Sequence, residues 1–349
     1  MQRSYALDAY RGLVMLLLVS HGFGFGELRD HPVLGGLAAQ FQHVAWEGGV
    51  LWDMVQPAFM FIVGAALPFA TAIRLQRGQT MGQISKHVAI RSLKLILLSQ
   101  ILMCVAKGEL HFQLINVLAQ IGLTYFLAFW ILRLSWRGQA GAALGLLVFH
   151  SALFLLFPGP DGAFSREGNI GAVIDKALLG YNYPGLYVTI NFIPSTVTTL
   201  IGAWSTQLLL SKRTKLSKVS LLVEAAVVCF LMVFALWALV PCVKRVWTAT
   251  FTFYSAGWVL LAMLALYFVV DVMGVHRWTF PLRVIGANSI FIYSANMLLG
   301  GWLDDALAVF TGRFAFLDEA GAIPQALAVL GVLFYLNYFL YQRRVFIKV

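Results

Sequence analysis

Charge is what this chain has least of. Asp, Glu, Lys and Arg make up 11% of its 349 residues, against 60% hydrophobic, and the mean hydropathy is +0.81. Soluble domains carry about 25% charged residues, so a soluble globular fold is excluded. Cysteine is nearly absent too: Cys104, Cys229 and Cys242 show no CxxC or His-paired spacing, which argues against a disulfide framework or a zinc site. No P-loop, HExxH, GxSxG or metal-ligand cluster occurs, so phosphoryl transfer and zinc hydrolysis have no support and no metal is expected. Low-complexity segments, linkers and a two-fold internal repeat are also missing. One domain over 1–349 is therefore expected, without the repeat that marks many secondary transporters.

What the chain does have is apolar length. Runs fall at about 10–28, 51–73, 88–106, 112–132, 139–158, 189–211, 219–241, 248–272, 282–302 and 323–342. Each approaches the roughly twenty residues needed to cross a hydrocarbon core of about 30 Å. The expected fold is an all-α polytopic membrane protein of about ten transmembrane helices, with a lipid bilayer as its solvent. The first run follows Arg3 and Arg11 and lacks a small-residue cleavage site. It reads as a retained span, which suits a bacterial inner membrane protein.

The net charge of +10 sits in short clusters between the runs rather than in a basic stripe interleaved with aromatics. A nucleic-acid partner is not expected. With both termini cytoplasmic and ten alternating spans, most of the 25 Lys and Arg residues fall inside, as the positive-inside rule requires. Lys244-Arg245 is the misfit, because this topology puts the pair outside. The long connections 29–50, 159–188 and 303–322 then face the extracytoplasmic side.

Polar side chains inside hydrocarbon are costly, so each invites a functional reading. Asp8 and Arg11 are three apart and share a helix face, either as an anchoring ion pair or as part of a phosphate site. His21 reads as lying well into the first span, followed by Gly22, Gly24 and Gly26, which suit close helix packing. The densest group runs from Gln42-His43 through Trp46-Glu47-Gly48-Gly49 to Trp52-Asp53 and Gln56-Pro57. Gly48-Gly49 and Pro57 predict broken helix there, and freed backbone groups at that depth point to a hydrated cavity. Imidazole exchanges a proton near neutral pH, and Asp53 is positioned to orient His43 as carboxylates orient catalytic histidines. An interfacial belt of Trp46 and Trp52 is the plainer alternative. Arg91 and Lys94 open the third run, and Asn116 with Gln120 mark the fourth. Asn191, Pro194, Ser195, Thr196, Thr198 and Thr199 mark the sixth, while Arg283, Asn288, Ser289, Tyr293 and Asn296 stripe the ninth.

Taken in order, these segments resemble the heparan-α-glucosaminide N-acetyltransferase family and its bacterial relatives. Ser4-Tyr5-Ala6-Leu7-Asp8-Ala9-Tyr10-Arg11-Gly12 is similar to the family's S-x-D-x-x-R-G start. His43-Val44-Ala45-Trp46 through Asp53, Pro57 and Phe59–Gly64 is similar to its H-x-x-W…D-L-x-x-P-x-F-x-F-I-x-G run. The segments 116–126, 270–272 and 286–293 resemble later elements. Where the family commonly has arginines, this chain has Gln113 and Gln120.

The resemblance implies an acyltransferase that takes an acetyl group from cytosolic acetyl-CoA and gives it to an amino or hydroxyl group of an extracytoplasmic sugar or glycan. It implies that His43 carries catalysis, as base or as transient acyl carrier, with Asp53 orienting it. Asn288 is a candidate to polarise the thioester carbonyl, and Arg11, Arg91, Lys94 and Arg283 are candidates for the CoA phosphates. The opening also resembles, distantly, the acyltransferase-3 group, which makes His21 a second catalytic candidate. A transporter or flippase of a sugar-bearing or anionic solute is the competing reading, and a homodimer is a possible assembly.

Overall fold

The computed structural model describes residues 4–183 and 185–347. Arg3 and Lys348 of the inner-side cluster lie outside the described residues. The ordered elements are helical: α1 (Tyr5–Val19), α2 (Gly35–Ala38), α3 (Val55–Gln76), α4 (Met81–Lys107), α5 (Val117–Ile131), α6 (Trp136–Leu156), α7 (Ile170–Leu179), α8 (Phe192–Leu210), α9 (Lys215–Leu236), α10 (Ala249–Leu266), α11 (Phe280–Ala287), α12 (Ser289–Thr311) and α13 (Ala322–Gln342). Among the described residues, β structure is limited to two isolated bridges, Glu47 with Val243 and Gly159 with Gly162.

The helix starts are written in the sequence. Ser4, Thr80, Asn116, Ser135, Asn169, Thr214 and Thr248 each cap a helix by accepting a backbone N–H with the side-chain oxygen. Such caps satisfy donors that the first turn leaves without a partner. Pro57 falls in the first turn of α3, where a missing N–H costs nothing. The irregular backbone expected at Pro57 lies earlier, at Gly48 (φ +99°) and in the short 3-10 turn Leu51–Met54.

Six helical stretches are long and apolar enough to cross a membrane, or seven if the bent pair Tyr5–Val19 and His21–Leu28 is one span. The chain is thus a multi-pass α-helical membrane protein. The ten apolar runs all fall on helices, yet not all of those helices qualify as spans. The 15-residue α5 is short, and α8 is diluted by Ser195, Thr196, Thr198, Thr199, Ser205 and Thr206. The stretch Ser289–Gln342 is 54 residues long and breaks at 312–321, where Arg313, Phe314 and Asp318 take positive φ. There α12 and α13 pack on one another. Lipid-facing surface is explicit on α4, where Leu93, Leu97, Ile101 and Val105 repeat every four residues and are each more than half exposed. Water would not tolerate such a stripe; hydrocarbon does.

At the centre, α3 packs most extensively on α8. A Cβ on Gly64 would lie 1.8 Å from the Thr199 carbonyl oxygen, and one on Gly202 would lie 2.0 Å from that of Phe61. The two backbones touch, as small residues allow in membranes. Two expectations need correcting. The ninth run splits at Asn288 into α11 and α12, and α12 continues to Thr311, so the third long connection shrinks to 312–321. His21 is not deep in a helix: α1 stops at Val19, and His21, Gly22, Phe23 and Gly24 all carry positive φ in an exposed bend of 49°. The close-packing reading of the glycines fits Gly24, whose Cβ would meet the Ala322 oxygen at 2.4 Å.

Candidate active site

Two loops build the site at one end of the bundle. Residues 43–53 lead into α3, and residues 242–248 lead into α10. Backbone bonds staple them together: Gly48 N donates to Cys242 O at 2.8 Å, and Glu47 bridges Val243. Thr248 stiffens the second loop, accepting from Val243 N at 3.1 Å and donating to Pro241 O at 2.7 Å. From behind, Asn191 donates to the Arg245 carbonyl at 3.4 Å and accepts from Gln120, whose own oxygen takes a bond from Ser195. The polar faces of α5 and α8 thus anchor the loop that carries Lys244.

His43 Nδ1 lies 2.7 Å from Asp53 Oδ1. Asp53 is fully buried, while the His43 side chain is 45% exposed. Lys244 Nζ, itself buried, sits 3.0 Å from the same Asp53 oxygen and 3.1 Å from His43 Nδ1. A carboxylate only accepts and an ammonium only donates, so the shorter contact decides the arrangement: Nδ1–H donates to Asp53. Lys244 and His43 then share one acceptor, and their mutual approach is not a bond. That tautomer leaves His43 Nε2 bare, with its lone pair available as a base. The second carboxylate oxygen accepts Val50 N at 3.2 Å and Val44 N at 3.4 Å. Asp53 therefore orients the ring and ties its own loop in place.

A cavity of about 480 Å³ opens at the opposite end of α3. From Val55 to Arg74 the helix rises roughly 28 Å, close to the thickness of a bilayer core. Arg11, Arg74, His87 and Arg91 are among its lining residues. Arg74 is held by His87 Nε2 at 2.6 Å and by Gln79 Oε1 at 3.1 Å. Arg91 lies 5.1 Å from the centre of the Tyr125 ring, and its Nε is buried without a partner. Along α3 the cavity follows Ala70, Ala66, Val63 and Ile62 and ends at Phe59. Six residues separate Phe59 from Asp53, about 9 Å of helix. Gln56 occupies the interval, three residues from each and so on one face with both. It is buried, and its Nε2 has no partner.

The structure brings together some of the residues singled out in the sequence and separates others. His43 and Asp53 are in contact, and Arg11 and Arg91 share one cavity. Lys94 and Arg283 do not line that cavity: Lys94 is exposed on α4, and Arg283 stacks 5.4 Å from the Tyr5 ring. Asn288 is not among the residues that line that cavity. Its amide donates to Val345 O and accepts from Ile347 N, both at 2.9 Å, and so holds the C-terminal segment. His21 Nε2 pairs with Asn296 Oδ1 at 3.2 Å rather than with Asp53. Sequence reading assigned no role to Lys244, Arg74 or His87, and it placed Gln56 in the polar group around His43 without a role of its own. Lys244 did leave a signal, as the charge that broke the positive-inside pattern, and His87 sits four residues before Arg91 on the same face.

A paired imidazole at one end and a cationic cavity at the other suit transfer of a group from an anionic carrier. Similarity to known proteins points the same way. The chain is 24% identical to human heparan-alpha-glucosaminide N-acetyltransferase over 421 residues, covering 99% of this chain, and 24% identical to the mouse protein over 418 residues. The similarity to these N-acetyltransferases extends over nearly the whole of this chain. No family model matches it. It spans 60% of the length of those N-acetyltransferases. The matched span takes in the segments that carry His43, Asp53 and the arginine-lined cavity, since 99% of the chain is covered.

Proposed function

We propose that this protein is a transmembrane acyltransferase of a bacterial inner membrane. It takes an acetyl group from cytosolic acetyl-CoA and delivers it to an amino or hydroxyl group of a sugar on the far side. The carrying observation is the His43–Asp53 pair about 9 Å of helix beyond Phe59, where a cavity lined by three arginines ends. In this reading the ten apolar runs cross the bilayer, both termini are cytoplasmic, and the arginine end faces the cytosol. Arg11, Arg74 and Arg91 take the CoA phosphates, for which guanidinium forks are well matched. The apolar wall from Ala70 to Phe59 takes the pantetheine arm.

The chemistry follows from the groups beyond Phe59. The acceptor nitrogen or oxygen attacks the thioester carbonyl carbon while His43 Nε2 takes its proton. Asp53 holds the ring and balances the positive charge that forms on it, and Lys244 keeps Asp53 in place. Gln56 Nε2 stands where a donor to the carbonyl oxygen is needed, the role first expected of Asn288. Collapse of the tetrahedral adduct breaks the C–S bond, and the His43 proton passes to the departing sulfur to give CoA thiol and the acylated acceptor.

Purified protein is incubated with isotopically labelled acetyl-CoA and a panel of amino sugars, and products and protein are read by mass spectrometry. Label is expected on an amino sugar, and His43→Ala should lower the rate about a thousandfold or more. Label retained on His43 in the wild type would favour the acyl-histidine route. Neither transfer nor binding of acetyl-CoA would overturn the proposal, and solute movement that survives His43→Ala would point to a transporter.

A further inference from the structure

Helix α1 separates two cavities. Arg11 and Met15 face the arginine-lined one, while Tyr10, Leu13, Val14 and Leu17 face a second of about 480 Å³. Their spacing of three, four and seven makes one stripe. The two cavities share no lining residue. The second is walled otherwise by α3 at Val55 and Ala58 and by α10 from Tyr254 to Ala262, and it is roofed by Gln40 and Gly49–Leu51.

Its polar side chains are already engaged. Tyr10 Oη donates to Val259 O at 3.3 Å, Tyr254 Oη donates to Gly49 O at 2.9 Å, and Gln40 Oε1 accepts from Leu51 N at 3.3 Å. What remains for an occupant is hydrocarbon wall, so a polar solute would lose its water and gain no partners. Leu51 and Trp258, on the lining, are 47% and 48% exposed, so the mouth opens on the outside of the bundle, where lipid lies. From its roof the cavity runs about 12 Å along α10, the depth of part of one leaflet. The roof belongs to the site: Val50 N is the group that donates to Asp53 Oδ2 at 3.2 Å.

We propose that this cavity holds the hydrocarbon tail of the acceptor. The acceptor is then a membrane-anchored amphiphile, an amino- or hydroxyl-bearing sugar on a lipid chain. Its tail lies between α1, α3 and α10, and its head meets His43. The inference rests on the acyltransferase reading and names its acceptor class. Donor and acceptor approach on opposite faces of α1, so both bind at once and neither must leave before the other enters.

Protein in nanodiscs is given labelled acetyl-CoA with methyl or dodecyl glucosaminide. The dodecyl compound should show a KM roughly a hundredfold lower, because burial of each methylene is favourable. Bilayer partitioning also favours a long chain, so Ala262→Phe, which fills the cavity and leaves the bilayer unchanged, is the control. It should reduce the advantage to about tenfold or less; an advantage equal to that of the wild type overturns the proposal. Independently, a dodecyl glucosaminide with a terminal diazirine is irradiated with wild-type protein in the absence of acetyl-CoA. Label should fall on residues 10–17 and 254–262, and label confined to the lipid-facing surfaces of α4 and α9 overturns the proposal. Methyl glucosaminide acetylated without cavity label or chain-length preference would refute the tail site and leave the acyltransferase reading standing. Cavity label without transfer to any acceptor would refute that reading and leave a lipid-tail site.

Discussion

Lys244 and Asp53 lie 191 positions apart in the chain, and their charged atoms meet at 3.0 Å. That contact gives Lys244, half of the basic pair that fitted the expected topology poorly, a partner of its own. Lys244 is buried and serves as counter-ion to a buried carboxylate, so it is not a loop charge free to choose a side of the membrane.

Removing one member of such a pair strands the other. Lys244→Met is expected to destabilise the protein by roughly 3–5 kcal/mol, measured by denaturant unfolding in detergent. Lys244→Met combined with Asp53→Asn should lose less than Lys244→Met alone. Losses that simply add would show that the two groups are not coupled.

Asp53→Asn should act on catalysis more than on binding. An amide facing Nδ1 donates where the carboxylate accepted, which favours the wrong tautomer and fills the Nε2 lone pair with a proton. A fall of about 10²–10⁴-fold in kcat is expected, with KM for acetyl-CoA little changed. A large rise in KM with kcat intact would place Asp53 in donor binding instead.

The proposal gives Gln56 the role first expected of Asn288, and kinetics separate them. Gln56→Leu keeps the bulk and removes the donor, and should lower kcat about 10²–10³-fold. Asn288→Ala should leave kcat within a few-fold but release the C-terminal segment, read as faster tryptic cleavage at Arg343 and Arg344. The reverse pattern would restore Asn288 as the carbonyl donor.

Arg74 and Arg91 are expected to matter in proportion to the donor's phosphates. Arg74→Ala or Arg91→Ala should raise KM for acetyl-CoA roughly 10- to 100-fold, from the 1.5–3 kcal/mol of a hydrogen bond to a charged group. S-acetylpantetheine, which has no phosphate, should be turned over equally by wild type and variants. Equal losses on both donors would mean the arginines act structurally.

Asp175 supplies a pH test away from the membrane-spanning helices. Burial pushes its carboxyl above the usual value of 3.8, partly offset by the bond it accepts from Thr189 N at 2.9 Å. With the folded value raised, the folded chain holds its proton longer than the unfolded one. Stability is then greatest below 3.8 and declines as pH rises through the folded value. Asp175→Asn keeps an acceptor for Thr189 and removes the charge. It should flatten that decline and raise Tm at neutral pH; an unchanged pH profile would count against a raised carboxyl.

Much of this was legible in the linear chain. Apolar runs marked the helices, and Ser, Thr and Asn caps marked their starts. The ten-residue interval from His43 to Asp53, with Gly48-Gly49 between, was compact enough to suggest their contact. Lys94 and Arg283 fall outside the cavity lining because a helix presents a basic residue to any of several directions, and only packing chooses the one that meets a cavity. His21 was misjudged because four consecutive positive φ values, two of them at non-glycine residues, are not encoded by spacing.

The sequence by itself determined that this chain lives in a bilayer as helices, because sparse charge and twenty-residue apolar runs admit no other solvent. Local order also fixed the His43–Asp53 partnership, since both residues stand on one short, broken segment. Tertiary structure alone decided that Lys244 completes the pair, that Gln56 Nε2 is buried without a partner while Asn288 holds the C-terminal segment, and that two cavities flank α1. Those facts depend on which helix faces touch. In hydrocarbon that is settled by close backbone packing such as Gly64 on Thr199, not by any periodicity a single strand of residues carries.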